Sequence, residues 1–323
     1  MCTAITYNAK SHYFGRNLDF EHSFGESVTV TPRNYSFTFQ CGRTINMHPA
    51  LIGMAAVDND YPLYFDGTNE DGLSMAGLYF PGNAVYLEPR EGMYNIAPYE
   101  FITWVLCQCK TVSDAKKLLY KTNLADIPYS KAYPQSPLHW FIADRDSAIT
   151  VEPMADGLAV YDNPVGVLTN NPPFPYHLQN LTNYLNVTSD EPVSRFAPNY
   201  QLTPYSRGMG GMGLPGDLSS ASRFVRGAFT KLNSFSDDTE ESDIAQFFHI
   251  LGSVAQQRGC VKVGNSYEKT IYSSCCNIDT GIYYYTTYEN SQITGVAMHN
   301  VNLETDNLSV FPLVTEQQIR MEN

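Results

Sequence analysis

The sequence predicts an α+β protein, with two mostly antiparallel sheets packed face to face and helices outside them, a four-layer αββα order. Three observations carry this. Short apolar–polar alternations broken by Gly, Pro, Asn and Asp fill roughly the first eighty residues. Two helical patterns then lie between blocks of strands, and a second helix pair precedes a last set of strands.

Residues 3–7 and 12–18 are β-prone on either side of a turn at 8–11, so the chain opens on a hairpin. Residues 27–33 and 51–65 follow as β-rich stretches with a turn at Asp58-Asn59-Asp60, and 62–66 pairs with 73–80 around a turn at 67–72. Residues 98–109 carry apolar positions at 101, 102, 104, 105 and 106, a buried helix with proline at its start, and 113–119 is a second capped helix. Strands resume at 138–143, 148–152, 158–161 and 165–169. Residues 219–232 form a helix with Phe224, Val225 and Phe229 on one side, and 242–257 another that opens at a capping Ser242 and stops near Gly259. Strands at 269–274, 282–288, 292–298 and 308–312 close the chain.

With 43% hydrophobic and 16% charged side chains over 323 residues, the chain has material for a large core, and one domain over 2–323 is expected. The 33 acidic and 20 basic residues give a formal charge of −13, with no basic cluster suited to phosphates, which argues against a nucleic-acid partner. An anionic substrate would need local arginines to attract it. No apolar run approaches the roughly 20 residues that span a bilayer, and no basic-then-apolar leader opens the chain. A cytoplasmic location without a membrane partner is expected.

The cysteines at 2, 41, 107, 109, 260, 275 and 276 lack paired metal-ligand spacing and the histidines are scattered, so no metal is expected. Cys107 with Cys109 and Cys275 with Cys276 read as small buried hydrophobes, with a thiol redox protein as the weaker alternative. His139, beside Trp140, reads as a core or supporting residue. Residues 208–213 satisfy G-x-G-x-x-G, but Leu214-Pro215-Gly216 follows without βαβ alternation, so no dinucleotide or other cofactor is expected.

The chemistry concentrates in the first nineteen residues. A small residue after Met1 allows an aminopeptidase to remove the methionine, and Cys2 then carries a thiol and a free α-amine. A thiolate is the reactive form of cysteine, and an α-amine titrating at about 7.7–8.0 is a base poised near neutrality. Arg16 and Asp19 lie just beyond. Residues three apart face opposite sides of a regular strand, so a bend near Asn17-Leu18 is expected if both are to reach Cys2.

Met1-Cys2-Thr3, Phe14-Gly-Arg-Asn-Leu-Asp19, Tyr61-Pro62, Asn69-Glu-Asp-Gly-Leu73, Ala76-Gly-Leu78, Gly166-Val-Leu-Thr-Asn170, Leu214-Pro-Gly-Asp217 and Ser222-Arg-Phe224 stand in this order. Together they make the sequence resemble, over essentially its whole length, the choloylglycine hydrolases. This group of N-terminal nucleophile hydrolases contains bile salt hydrolases and penicillin V acylases. The resemblance implies the αββα sandwich and an amide hydrolase with Cys2 as nucleophile. It implies that Asp19 orients the amine and that Arg16 and Arg223 set the charge around the site. The Asn170 side chain and the Tyr79 N–H would then be the oxyanion donors. Arg226, one turn beyond Arg223, is expected to face solvent. Leu18, Phe24, Phe65, Tyr129 and Tyr133 fall where family members place apolar pocket walls, and conjugated bile salts are the implied substrate. Tyr79 stands where bile salt hydrolases carry asparagine and penicillin V acylases tyrosine, which keeps penicillin V acylase open as the alternative. A bile-salt-binding protein without turnover is the non-enzymatic one. Residues 180–217 match a segment with which family members grip neighbouring subunits, implying a homotetramer.

Overall fold

The computed structural model describes residues 1–130 and 135–323. Strand β1 (Cys2–Asn8) and strand β2 (His12–Phe20) form the opening hairpin, paired residue for residue from Cys2 opposite Leu18 to Asn8 opposite His12. They lie inside a seven-stranded sheet whose order runs Val167–Leu168, β1, β2, Ser266–Asn277, Ile282–Thr287, Thr294–Ala297, with Val261–Val263 paired to Ser266–Asn277. The eight-stranded second sheet runs Gly157–Asp162, Ala148–Met154, Leu138–Ala143, Ser74–Tyr79, Tyr61–Asn69, Leu51–Asp58, Ser27–Thr31, Ser309–Pro312. Every pairing named within the two sheets is antiparallel.

Alternation along β2 decides which residues face which layer. Phe14 stacks on Phe141 of the second sheet at 5.5 Å, so that parity points between the sheets. Tyr13 packs on Phe247 of the Glu240–Gly252 helix at 6.4 Å, so the other parity points to the helices. The outer layer on the second sheet is built by Phe101–Leu106 and Val112–Leu119, where Phe101 meets Trp140 edge-on at 4.7 Å. The order is therefore helix, sheet, sheet, helix, as the succession of elements implied.

Helix ends differ from the sequence reading. The stretch at 98–109 splits into a 3₁₀ turn, Pro98–Glu100, and the short helix Phe101–Leu106. Thr111, not Ser113, caps Val112–Leu119 by accepting the Asp114 N–H. Thr239 caps the last helix by accepting the Ser242 N–H at 3.2 Å, which puts Ser242 inside it. The helix Phe174–Asn180, which the sequence pattern did not predict, carries Pro175 in its first turn, where proline gives up only an N–H that has no intrahelical partner.

Gly15 occupies a crossing point where a Cβ would lie 2.0 Å from the Ser274 carbonyl oxygen. Backbone cannot give way there without separating β2 from its neighbour. Gly15→Ala is expected to destabilise the fold by about 3 kcal/mol, measured as a lower midpoint in urea.

Candidate active site

Cys2 heads β1, is 4% exposed, and shares the inter-sheet face with its partner Leu18. Its backbone N–H donates to Asn170 Oδ1 at 2.9 Å, and its carbonyl accepts from Arg223 Nη1 at 2.5 Å. Arg223 Nη1 also reaches Thr3 Oγ1 at 2.6 Å and Nη2 reaches Asn170 Oδ1 at 2.7 Å. Asn170 Nδ2 donates to the Tyr79 carbonyl at 2.6 Å. Cys2, Tyr79, Asn170 and Arg223, drawn from two sheets and a helix, thus meet through direct bonds.

No bend appears in β2. The register shift lies on the neighbouring strand, between Thr270 and Tyr272. Arg16 and Asp19 reach the site from opposite faces, as strand alternation requires. Arg16, fully buried, enters between the sheets, where Nη1 donates to the Gly77 carbonyl at 2.5 Å and the Phe65 carbonyl at 3.1 Å. Phe65 is the extra residue of a bulge that interrupts pairing between Met54 and Ala55, which leaves its carbonyl free of the ladder. Burial works against the Arg16 charge, but Cys2, Tyr272, Asp66 and Asp19 hold its pKa above the ordinary arginine value. Asp66, bound by the Tyr272 and Tyr283 hydroxyls at 2.7 and 2.6 Å, is the carboxylate behind it.

Asp19 takes the helix-facing side. Its Oδ1 accepts from Thr270 Oγ1 at 2.6 Å, while buried Oδ2 has no partner among the described residues. Burial raises its pKa, against the pull of Arg223, the N-terminal amine, Thr270 and Arg16. Met1 continues the β1–β2 ladder. Its carbonyl accepts the Asp19 N–H at 2.9 Å, and its ammonium donates to the Asp19 carbonyl at 2.6 Å and to Glu268. Burial lowers the pKa of this amine, with Arg223 adding to the effect and Cys2, Asp19 and Glu21 opposing it.

Among the pocket residues, Phe24 and Phe65 meet at 5.5 Å, and Phe20 links Phe24 (4.9 Å) to Tyr79 (6.5 Å). Leu18 is buried in the core cluster against which Phe20, Phe24 and Phe65 pack. Tyr129 joins a different group, with Tyr99 at 5.1 Å and Tyr61 at 5.9 Å, and Tyr133 lies outside the described residues. Arg226 is not solvent-facing: it is half-buried and donates to the Pro215 carbonyl at 3.1 Å. Sequence reasoning missed Phe20, which alternation from Leu18 could have supplied. It also missed Asp66, Thr270 and Glu268, for which no local signal exists because only the sheet register brings them to the site. Cys107, Cys109, Cys275 and Cys276 are buried, and burial pushes their thiols up, Cys109 and Cys276 to about 12. No grouping of three or more His, Cys, Asp or Glu suited to a metal occurs among the described residues.

A cysteine at the head of a strand inside an αββα sandwich, ringed by arginines and an asparagine, defines the class of N-terminal nucleophile hydrolases. Comparison with known proteins narrows this. The profile of the linear amide C–N hydrolases, choloylglycine hydrolase family, matches residues 2–311. A bile salt hydrolase/transferase of Lactiplantibacillus plantarum is 52% identical over 98% of both chains. The C2A variant of the conjugated bile acid hydrolase from Clostridium perfringens superposes with a TM-score of 0.93 at 37% identity, covering both chains fully. The penicillin V acylase of Agrobacterium tumefaciens shares the fold, with a TM-score of 0.78 at 18% identity over 97% of this chain and 92% of its own. The chain belongs to the choloylglycine hydrolase family and is a linear amide C–N hydrolase.

Proposed function

We propose that the protein hydrolyses the amide of glycine- or taurine-conjugated bile acids through Cys2, freed of Met1. The observation that carries the mechanism is the convergence of Cys2, Asn170 and Arg223, with Arg16 on the thiol side and Asp19 on the amine side. With Met1 removed, the α-amine belongs to Cys2, and we assign the unpartnered Asp19 Oδ2 to receive it. The Cys2 thiol gives its proton to this amine, and Sγ attacks the amide carbonyl. Negative charge develops on the carbonyl oxygen, which the Asn170 Nδ2–H and the Tyr79 backbone N–H are assigned to hold. The C–N bond then breaks, and the leaving amine takes the proton from the α-ammonium. Water, deprotonated by the same amine, cleaves the resulting thioester and releases the bile acid. Arg16 and Arg223 place two fixed positive charges beside the sulfur and the substrate. No cofactor enters these steps.

The name of the Lactiplantibacillus relative includes a transferase activity, and we extend it to this chain. An amine in place of water at the thioester returns an amide by the same proton transfers. Phe20, Phe24, Phe65 and Tyr79 give an aromatic face suited to a steroid. We assign 180–217 to contacts between subunits of a homotetramer, supported by Leu185, Val193, Phe196 and Tyr205, each at least 75% exposed. No described helix is long and apolar enough to cross a membrane, and we place the reaction in the cytoplasm.

Product release from glycocholate, taurocholate and penicillin V by Met1-processed enzyme tests the substrate. Cleavage of the bile salts at least about tenfold faster than penicillin V is expected; cleavage of penicillin V alone would reassign the pocket to the acylase chemistry that Tyr79 resembles.

A further inference from the structure

Three fully buried side chains outside the catalytic group meet directly behind Asn170: His139, Glu152 and His177. His139 Nε2 lies 2.9 Å from the Thr169 carbonyl, and His177 Nε2 lies 2.9 Å from the carbonyl of the next residue, Asn170 itself. A carbonyl only accepts, so both rings must carry their proton on Nε2. His139 Nδ1 faces Glu152 Oε1 at 3.3 Å, which needs one proton between them, and the same oxygen accepts the Phe174 N–H at 2.9 Å. Each ring is also fixed in plane, His139 stacked on Phe80 at 4.2 Å and His177 on Phe224 at 4.8 Å. From the other side, Ser220 Oγ accepts the Asn170 N–H at 2.8 Å.

We propose that His139 and His177 are positioning residues that clamp two successive carbonyls and so aim the Asn170 side chain at the oxyanion. The proposal rests on the reading of Asn170 as an oxyanion donor. The chain past Val167–Leu168 has left the sheet ladder, so nothing in the strand pairing fixes where residues 169 and 170 sit. Two imidazoles of defined tautomer replace that pairing, and Glu152 ties the first to the start of the Phe174–Asn180 helix, which carries His177. An oxyanion donor acts only in the transition state, and a misplacement of about 1 Å can cost 10²-fold. The clamp therefore acts on kcat and leaves substrate binding alone.

The test compares glycocholate turnover by processed His177→Phe, which keeps ring volume without the donor, His177→Gln, which restores an N–H, and Asn170→Ala. His177→Phe is expected to lose about ten- to hundredfold in kcat, with KM within about threefold and Cys2 alkylated by iodoacetamide at the parent rate, since alkylation needs no oxyanion donor; His177→Gln recovers most of the loss. Parent kcat in His177→Phe, or an equal loss of turnover and alkylation, would overturn the proposal. An Asn170→Ala enzyme with parent kcat would remove the oxyanion reading and the clamp with it, whereas an impaired Asn170→Ala beside a fully active His177→Phe removes the clamp alone. NMR of the parent enzyme labelled with 15N-histidine gives a reading independent of whether any variant folds. Nε2–H signals from both rings are expected, and an Nδ1–H tautomer without Nε2–H at His177 would refute the arrangement.

Discussion

Replacing Cys2 by alanine abolishes amide cleavage while bile-salt binding persists. Turnover of glycocholate is expected to fall by about 10⁴-fold or more, because no other described thiol lies among the bonds that join Cys2, Asn170 and Arg223, and the donors alone form no thioester. The backbone of residue 2 keeps its bonds to Asn170 and Arg223, so the site holds its shape. Calorimetric affinity for glycocholate should change less than about threefold. Residual turnover within tenfold of the parent would mean that another group is the nucleophile. Binding with no turnover in the parent enzyme as well would mean that the fold serves as a bile-salt carrier.

Asp19→Asn is expected to lower kcat by about 10³-fold and to take the acid limb of the pH–rate profile with it. In the proposed mechanism the carboxylate is the form that receives the α-ammonium of Cys2, and an amide would present a donor in some orientations and a neutral acceptor in the rest. Burial, the leading cause, raises the Asp19 pKa above the ordinary carboxyl value. A raised pKa keeps the protonated form to higher pH, so activity falls as pH drops through that value and recovers above it. In the Asn variant this limb disappears and the residual rate is flat over the same range. A full-strength enzyme with an unchanged acid limb would release Asp19 from this role and place the titration elsewhere.

Both variants probe residues that the sequence singles out. Cys2, Arg16 and Asp19 stand within one hairpin, and the alternation of β2 already places Arg16 and Asp19 on opposite faces. The sequence reading took that separation as an obstacle requiring a bend. In the folded chain it is the arrangement itself, one face holding the thiol side and the other the amine side, and the irregular residue lies on the partner strand at Thr270 to Tyr272. A register shift on a neighbouring strand depends on pairing between residues about 250 apart, which no local pattern encodes.

Hairpins, layer order and the candidate nucleophile Cys2 were legible in the sequence itself, because alternation, turn residues and the chemistry of an α-amine act over short stretches; the helix Phe174–Asn180 was not. Only the tertiary structure decided the rest. It set Asp66 behind Arg16, put the bulged Phe65 carbonyl where that arginine needs an acceptor, made Thr111 and Thr239 the caps, and turned His139 and His177 toward consecutive carbonyls. Each of these depends on where distant backbone comes to rest. A buried polar atom takes whichever partner the packing leaves within about 3 Å, and the sequence alone does not say which that is.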